Sequence, residues 1–186
     1  MSKLLRSLQN KWRSKLAVLV SLACLSGTCY ADTPAQFARR FANFKFEFHA
    51  EVQDPAVFLK TEKGDCDDFA TFADDVLTRE GYTTHLIAIR MPGETHVVLY
   101  VDEAHGYLDY NFRAAKHPCR PSDGKLQHVA AQVAKTFGLP WVGVYEFNYF
   151  HKMKHLVTDI VMNDKVDQAT PHPIQIAAAG SQHHKP

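Results

Sequence analysis

Cysteine is scarce in this sequence, and its placement limits what disulfide bonds can contribute. The 186 residues contain 4 cysteines, of which Cys24 and Cys29 lie within the first 31 residues. The rest of the chain has only Cys66 and Cys119, too few for a scaffold held by disulfide bonds. Because 46% of the residues are hydrophobic, we expect a packed core to hold the fold instead.

Long apolar runs are also missing. The run at 16–25 has about ten residues, whereas a membrane-spanning helix needs roughly 20. It follows five cations and precedes the small residues Cys29 and Ala31, which is the order found in a secretory signal. We therefore predict a signal peptide over residues 1–31, cleaved after Ala31, and a periplasmic or secreted protein without a stable membrane span. An uncleaved membrane anchor is the alternative.

The body of the chain has no excess of positive charge. After residue 31, sixteen Lys and Arg residues face 20 Asp and Glu residues. This mildly acidic balance gives no electrostatic reason to expect binding to nucleic acid. Residues 168–186 mix Pro, Ala, Gly, Gln and His without periodicity, which predicts a disordered tail. The folded domain is therefore expected over residues 32–167.

Hydrophobic periodicity predicts an α+β domain. Apolar residues recur at helical spacing from Cys66 to Glu80, Asp65 is a favourable N-cap, and Gly81 is a stop signal. The other predicted elements are helices at 35–44 and 126–137 and strands at 44–48, 84–90, 95–101, 107–112, 143–150 and 156–162. This order indicates a helix beginning at Cys66 that packs on an antiparallel sheet.

Three of these elements carry the parts of a nucleophilic site. A cysteine nucleophile needs a thiolate, a proton partner and a group that orients the partner. Cys66 lies at a helix start, where unpaired N–H groups and the helix dipole stabilise a thiolate and bind an oxyanion. His96 is the candidate base. With an even hairpin loop, Asn111 falls opposite His96 and Asp109 lies diagonally beside it, so both remain candidates for the orienting group.

Simpler explanations exist for the same residues. Cys66 is alternatively a buried core cysteine or the disulfide partner of Cys119. A zinc site would use Cys119 and His117, but no ligand pairs have finger-like spacing. Asp67 and Asp68 favour the helix dipole, yet they also oppose a thiolate, so their proximity to Cys66 requires a counter-charge.

The sequence GDCDDFA at positions 64–70 resembles the nucleophile motif of bacterial transglutaminase-like cysteine proteases, in which G-D-C-x-D/E opens the core helix. The segments 54–59, 95–99 and 107–111 resemble, in turn, the approach to that helix, the histidine strand and the strand of the third triad member. The resemblance covers about residues 44–113. It implies a papain-like, transglutaminase-like core and a triad of Cys66, His96 and Asp109, with Asp109 favoured over Asn111.

The resemblance also implies an activity. We expect a peptidase or amidase that cleaves a peptide or protein substrate through a thioester acyl-enzyme and requires no cofactor. In some of these proteases acids that flank the cysteine help bind calcium, and the matching positions are Asp65 and Asp67. The alternatives are acyl transfer to an amine, with Trp141, Tyr145 and Tyr149 available to cover a cleft, and a non-catalytic secreted binding module of the same fold. The short domain favours an open groove and hydrolysis.

Overall fold

The computed structural model describes residues 32–150 and 153–167, so the predicted signal peptide and tail lie outside the described residues. The helices are α1 Pro34–Arg39, α2 Pro55–Thr61, α3 Cys66–Arg79, α4 Leu126–Phe137 and α5 Asp164–Asp167. The strands are β1 Lys45–Phe46, β2 Lys63–Gly64, β3 Thr84–Met91, β4 Glu94–Val101, β5 Gly106–Leu108, β6 Cys119–Pro121, β7 Gly143–Phe150, β8 Met153–Leu156 and β9 Val161–Met162. Short 3₁₀ turns occupy Asp102–Ala104 and Tyr110–Phe112. Within these ranges no helix has the length and apolar character to cross a membrane.

The main sheet is antiparallel throughout. Its strands lie in the order β6-β5-β4-β3-β7-β8, and β9 also pairs with β7. A separate two-stranded sheet joins β1 and β2 in parallel. The predicted α+β class is confirmed at this level, a mixture of helices with a large antiparallel sheet.

The sheet has a hydrophobic cluster on each face. Alternate residues of β3 divide between them: Ala88 packs with Phe69 of α3, and Ile87 packs with Val129 of α4. Since successive strand residues point to opposite faces, α3 and α4 cover opposite sides of the sheet. Full burial of each large aliphatic or aromatic side chain stabilises the fold by about 1.5–3 kcal/mol.

Aromatic rings fix the helices that surround the start of α3. Phe41 stacks on Phe58 of α2 with centroids 5.7 Å apart, and it meets Phe69 of α3 edge-on at 5.4 Å. Phe37 of α1 lies 5.1 Å from Phe41. Such pairs add about 0.5–1.5 kcal/mol each to the gain from burial. This cluster ties α1, α2 and α3 into one unit.

Several predicted bounds agree with the structure, and those of the N-terminal elements do not. The helix at 126–137 has the predicted ends, and the helix that begins at Cys66 ends one residue early, at Arg79. The helix predicted over 35–44 ends at Arg39, because tight turns follow, beginning with the bond from Phe41 N–H to the Ala38 carbonyl.

The half-buried strand predicted at 44–48 is wrong in its burial. Only Lys45–Phe46 is a strand, and Phe46 and Phe48 are 66% and 74% exposed. The alternation of Phe with polar residues imitates a core strand, but among the described residues β1 pairs only with β2, and no described helix covers these rings. The strand predicted at 156–162 is wrong over 157–160, which lie between β8, ending at Leu156, and β9, Val161–Met162.

Gly64 is expected to be intolerant of any side chain. A Cβ at this position would lie 2.7 Å from the Phe58 ring and 2.8 Å from a carboxylate oxygen of Asp68. We predict that Gly64→Ala lowers the free energy of unfolding by about 1–3 kcal/mol, the usual cost of overpacking. Urea unfolding measures this change. Gly143→Ala is the control, because its Cβ would have no neighbour closer than 3.4 Å, and an equal loss in the two variants would contradict the steric argument.

Candidate active site

Cys66 is the first residue of α3. At the start of this helix, the side chains of Asp65 and Asp68 each accept a hydrogen bond from the other's backbone N–H group. The Asp65 carboxylate accepts hydrogen bonds from the N–H groups of Asp67 and Asp68 at 3.0 and 3.3 Å. The Asp68 carboxylate accepts one from the Asp65 N–H at 3.1 Å. The Phe69 N–H donates to the Asp65 carbonyl. Among the backbone N–H groups of residues 65–69, only that of Cys66 makes no hydrogen bond to a described residue, so it is free to bind an oxyanion.

The two capping carboxylates also anchor the preceding chain. Asp68 is 2% exposed and accepts two hydrogen bonds of 2.7 Å, from the backbone N–H and the side-chain amide of Gln53. Asp65 accepts a third bond, from the N–H of His49 at 2.9 Å. Burial raises the pKa of Asp65 in spite of these donors. Buried carboxylates need such partners, and here the partners fix where Cys66 lies.

His96 connects the cysteine to an acid. This β4 residue is 3% exposed, and its Nε2 lies 2.9 Å from Oδ1 of the buried Asp109. Burial lowers the pKa of His96, but hydrogen bonds and charge attraction from Asp109 and Cys66 exceed that effect and raise it to about 10. An imidazolium that persists at neutral pH is the partner that a thiolate requires. The structure therefore brings Cys66, His96 and Asp109 together.

The end of β5 decides between Asp109 and Asn111. Leu99 pairs with Leu108 and Val101 with Gly106, which is the even register considered from the sequence. The predicted strand to 112 stops at Leu108, however, and a 3₁₀ turn follows in which Asp109 accepts the Asn111 N–H at 2.8 Å. Asn111 is thereby turned into solvent. Asp109, and not Asn111, contacts the imidazole.

The alternatives that involve Cys119 find no support. Cys66 and Cys119 are both free thiols, and Cys119 lies on β6, where burial raises its pKa. Among the described residues, the group with metal-ligating atoms close together is His49, Asp65 and Asp68, with these atoms within 4.8 Å of one another. Neither Cys119 nor His117 belongs to it.

The calcium site expected at Asp65 and Asp67 can be compared with the contacts that their carboxylate oxygens make. Calcium takes six to eight oxygen ligands. Both oxygens of Asp65 already accept backbone N–H groups. Asp67 Oδ2 lies 2.7 Å from Lys154 Nζ and 3.4 Å from the Tyr149 hydroxyl. Three of the four oxygens of these two carboxylates are therefore engaged by N–H donors or by the ammonium group, which fits a calcium site poorly.

Two contacts of the site have no signal in the sequence. Phe137, the last residue of α4, places its ring 4.9 Å from the His96 ring and shields the imidazole. Lys154 reaches Asp67 from β8, across 87 positions of sequence. Of the aromatic residues expected to cover a cleft, Tyr149 approaches Asp67 and Tyr145 packs on the α3 side of the sheet. Trp141 packs on the opposite side.

We predict that iodoacetamide alkylates Cys66 at pH 6 at least about tenfold faster than a free thiol, because the protonated His96 stabilises the thiolate. His96→Ala should remove most of this advantage at pH 6. At pH 10 the variant and the wild type should differ much less, since His96 itself then loses its proton. Mass spectrometry of the Cys66 peptide gives both rates, with Cys119 as the internal control. Equal rates at pH 6 would contradict the ion pair.

A scan against models of protein families finds no match for this chain, and a search of curated proteins finds none either. The arrangement of Cys66, His96 and Asp109 is therefore the observation from which a function can be proposed.

Proposed function

We propose that this protein is an exported cysteine peptidase or amidase of the transglutaminase-like cysteine protease type, with a papain-like core. The observation that carries the proposal is the buried His96, which is hydrogen-bonded to Asp109 at 2.9 Å and whose charge is favoured by the nearby thiol of Cys66 at a helix start. A structural cysteine or histidine has no need of this arrangement. The predicted signal peptide supports export.

The first half-reaction forms a thioester. The Cys66 thiolate attacks the carbonyl carbon of an amide, and the oxygen becomes an oxyanion within reach of the free Cys66 N–H and the positive end of α3. His96 gives its proton to the departing amine as the C–N bond breaks. Because Asp109 accepts a hydrogen bond from Nε2 of His96, Nδ1 is the nitrogen that exchanges a proton at Cys66.

The second half-reaction regenerates the cysteine. Neutral His96 takes a proton from water, and the resulting hydroxide oxygen attacks the thioester carbon. Collapse of this intermediate expels the Cys66 thiolate and releases a carboxylic acid. The imidazolium then pairs with the thiolate again, which restores the resting state. Any amine that replaced this water would give transfer instead of hydrolysis.

Features around the site favour an open groove, and hence water as the acceptor. Cys66 is only partly buried. A groove of about 590 Å³ begins at Asp67, Tyr149 and Lys154 and continues along α3, with Cys66 outside its lining. A transferase needs a site that excludes water around the acceptor amine.

Exposed apolar side chains near the nucleophile fit a peptide substrate. Phe46 pairs with Gly64 in β1 and β2, two residues before Cys66, and both Phe46 and Phe48 are mostly exposed. Next to the groove residues Tyr149 and Lys154 in the sequence, Phe150 and Met153 are 62% and 61% exposed. Apolar surface of this kind near a catalytic group binds the side chains of an extended chain.

We predict unequal effects for the two candidate orienting residues. Asp109→Ala should lower kcat by about 10²–10⁴-fold, because the imidazole loses its tautomer and angle. Asn111→Ala should change kcat by less than about threefold, because only its backbone N–H contacts the site. Steady-state kinetics on a cleaved peptide decides this. A larger loss for Asn111→Ala than for Asp109→Ala would contradict the assignment.

The reaction type is tested with a peptide library and an excess of a primary amine. We expect cleavage products from the wild type, and a loss of at least about 10⁴-fold in Cys66→Ala, which has no nucleophile. Cys119→Ala is the matched control and should retain activity. Amine incorporation without cleavage would replace the hydrolase by a transferase. Full activity of Cys66→Ala would refute the proposal, and its circular dichroism spectrum verifies that the variant is folded.

A further inference from the structure

A lysine from the edge of the sheet contacts the residue that follows the nucleophile. Lys154 Nζ lies 2.7 Å from Oδ2 of Asp67, and the Tyr149 hydroxyl lies 3.4 Å from the same oxygen. The ammonium group also approaches the rings of Phe147 and Tyr149, at 5.1 and 5.6 Å from their centroids. This contact joins the β7–β8 hairpin to the first turn of α3.

Asp67 differs from the other acids at the start of α3 in what balances its charge. Asp65 and Asp68 are buried and accept backbone and amide N–H groups on both oxygens. His49 Nδ1 also approaches Asp68, at 3.2 Å. Asp67 has no such donors among the described residues, and its charged partner is Lys154.

The groups on the other side of Cys66 do not replace this lysine. His96, from β4, is the cation in contact with Cys66, and it is bonded to Asp109 at the end of β5. Tyr149, from β7, is a neutral group, because burial and the nearby charge of Asp67 raise its pKa to about 12. Lys154 is therefore the cation that offsets Asp67 beside the thiolate.

We propose that Lys154 is a positioning residue that neutralises Asp67 and so permits a thiolate at Cys66, with a cation from the chain in the place where the family resemblance expects calcium. It also holds the β7–β8 hairpin against the start of α3. The inference rests on the proposed function, since it takes Cys66 as the nucleophile.

The state of the lysine agrees with this role. Burial lowers the pKa of Lys154, but the hydrogen bond and charge of Asp67 outweigh burial and raise it above its ordinary value. The ammonium group is thus charged at any pH at which the enzyme would act. Without it, a carboxylate one residue from Cys66 would oppose the thiolate by repulsion of like charges.

The test is the rate of iodoacetamide alkylation of Cys66 from pH 5 to 9, which needs no substrate. Lys154→Met should slow the reaction at pH 6 by about tenfold, the effect of one nearby like charge. Lys154→Arg should keep the rate within about threefold of the wild type. Lys125→Met, which removes an exposed lysine paired with Asp123 at 3.7 Å, is the matched control and should have no effect.

The double variant Lys154→Met/Asp67→Asn separates charge from packing. If Lys154 acts by neutralising Asp67, removal of both charges restores alkylation to within about threefold of the wild type. A double variant as slow as Lys154→Met would overturn the inference, as would a Lys154→Met rate equal to that of the wild type. Thermal unfolding shows that each variant is folded.

Calcium provides an independent readout. The wild-type alkylation rate should be the same in EDTA and in millimolar calcium, and calorimetry should detect no heat of calcium binding. A rate that falls in EDTA and recovers with calcium would overturn the inference. A wild-type Cys66 that reacts no faster than a free thiol would instead refute the proposed function, and the comparison of Lys154→Met with the double variant would still measure the effect of Lys154.

Discussion

The position of Cys66 depends on two buried carboxylates at the start of α3. Asp65 and Asp68 cap each other, and together they bind the N–H groups of Gln53 and His49. A buried carboxylate without donors costs several kcal/mol, so the chain before the helix is held where it can supply them. The same cap occupies the amide groups that follow Cys66 and leaves that of Cys66 free. One hydrogen-bonding requirement thus places the proposed nucleophile and leaves its N–H group without a partner among the described residues, as an oxyanion would need.

The parts of the fold that could be predicted are those whose pattern is set by a large buried face. Apolar residues repeat along α3 and α4 because each helix covers one side of the sheet, and so their bounds are nearly as expected. Phe46 and Phe48 also repeat with the period of a strand, but Phe46 lies on a small parallel pair, Phe48 follows that pair, and both rings are mostly exposed. Periodicity reports which residues share a face, and it cannot report whether another layer covers that face.

The residues of the candidate site also fall into those that the sequence could predict and those that it could not. Cys66, His96 and Asp109 could be proposed from the sequence because each has a local signal: a helix start, a strand and a hairpin of even register. The choice of Asp109 over Asn111 depends on a 3₁₀ turn that the strand pattern conceals. Phe137 and Lys154 belong to elements that meet the site only through the sheet order, since β7 crosses to pair with β3. No pattern within a window of sequence contains that information.

Three acids in four residues around the proposed nucleophile oppose a thiolate, and each of them has partners that offset its charge. Asp65 and Asp68 are required as caps, and their charge is spread over the N–H groups that they accept. Asp67 favours the helix dipole but accepts no N–H group from the described backbone, and it is the residue that follows Cys66. An ammonium group from β8 pairs with its carboxylate and joins the hairpin to the helix. In the role that we propose for Lys154, the stability of the hairpin contact and the reactivity of the thiol are coupled through this one ion pair, which is only partly buried. Because salt screens such a pair, high ionic strength should slow alkylation of Cys66 in the wild type more than in Lys154→Met/Asp67→Asn.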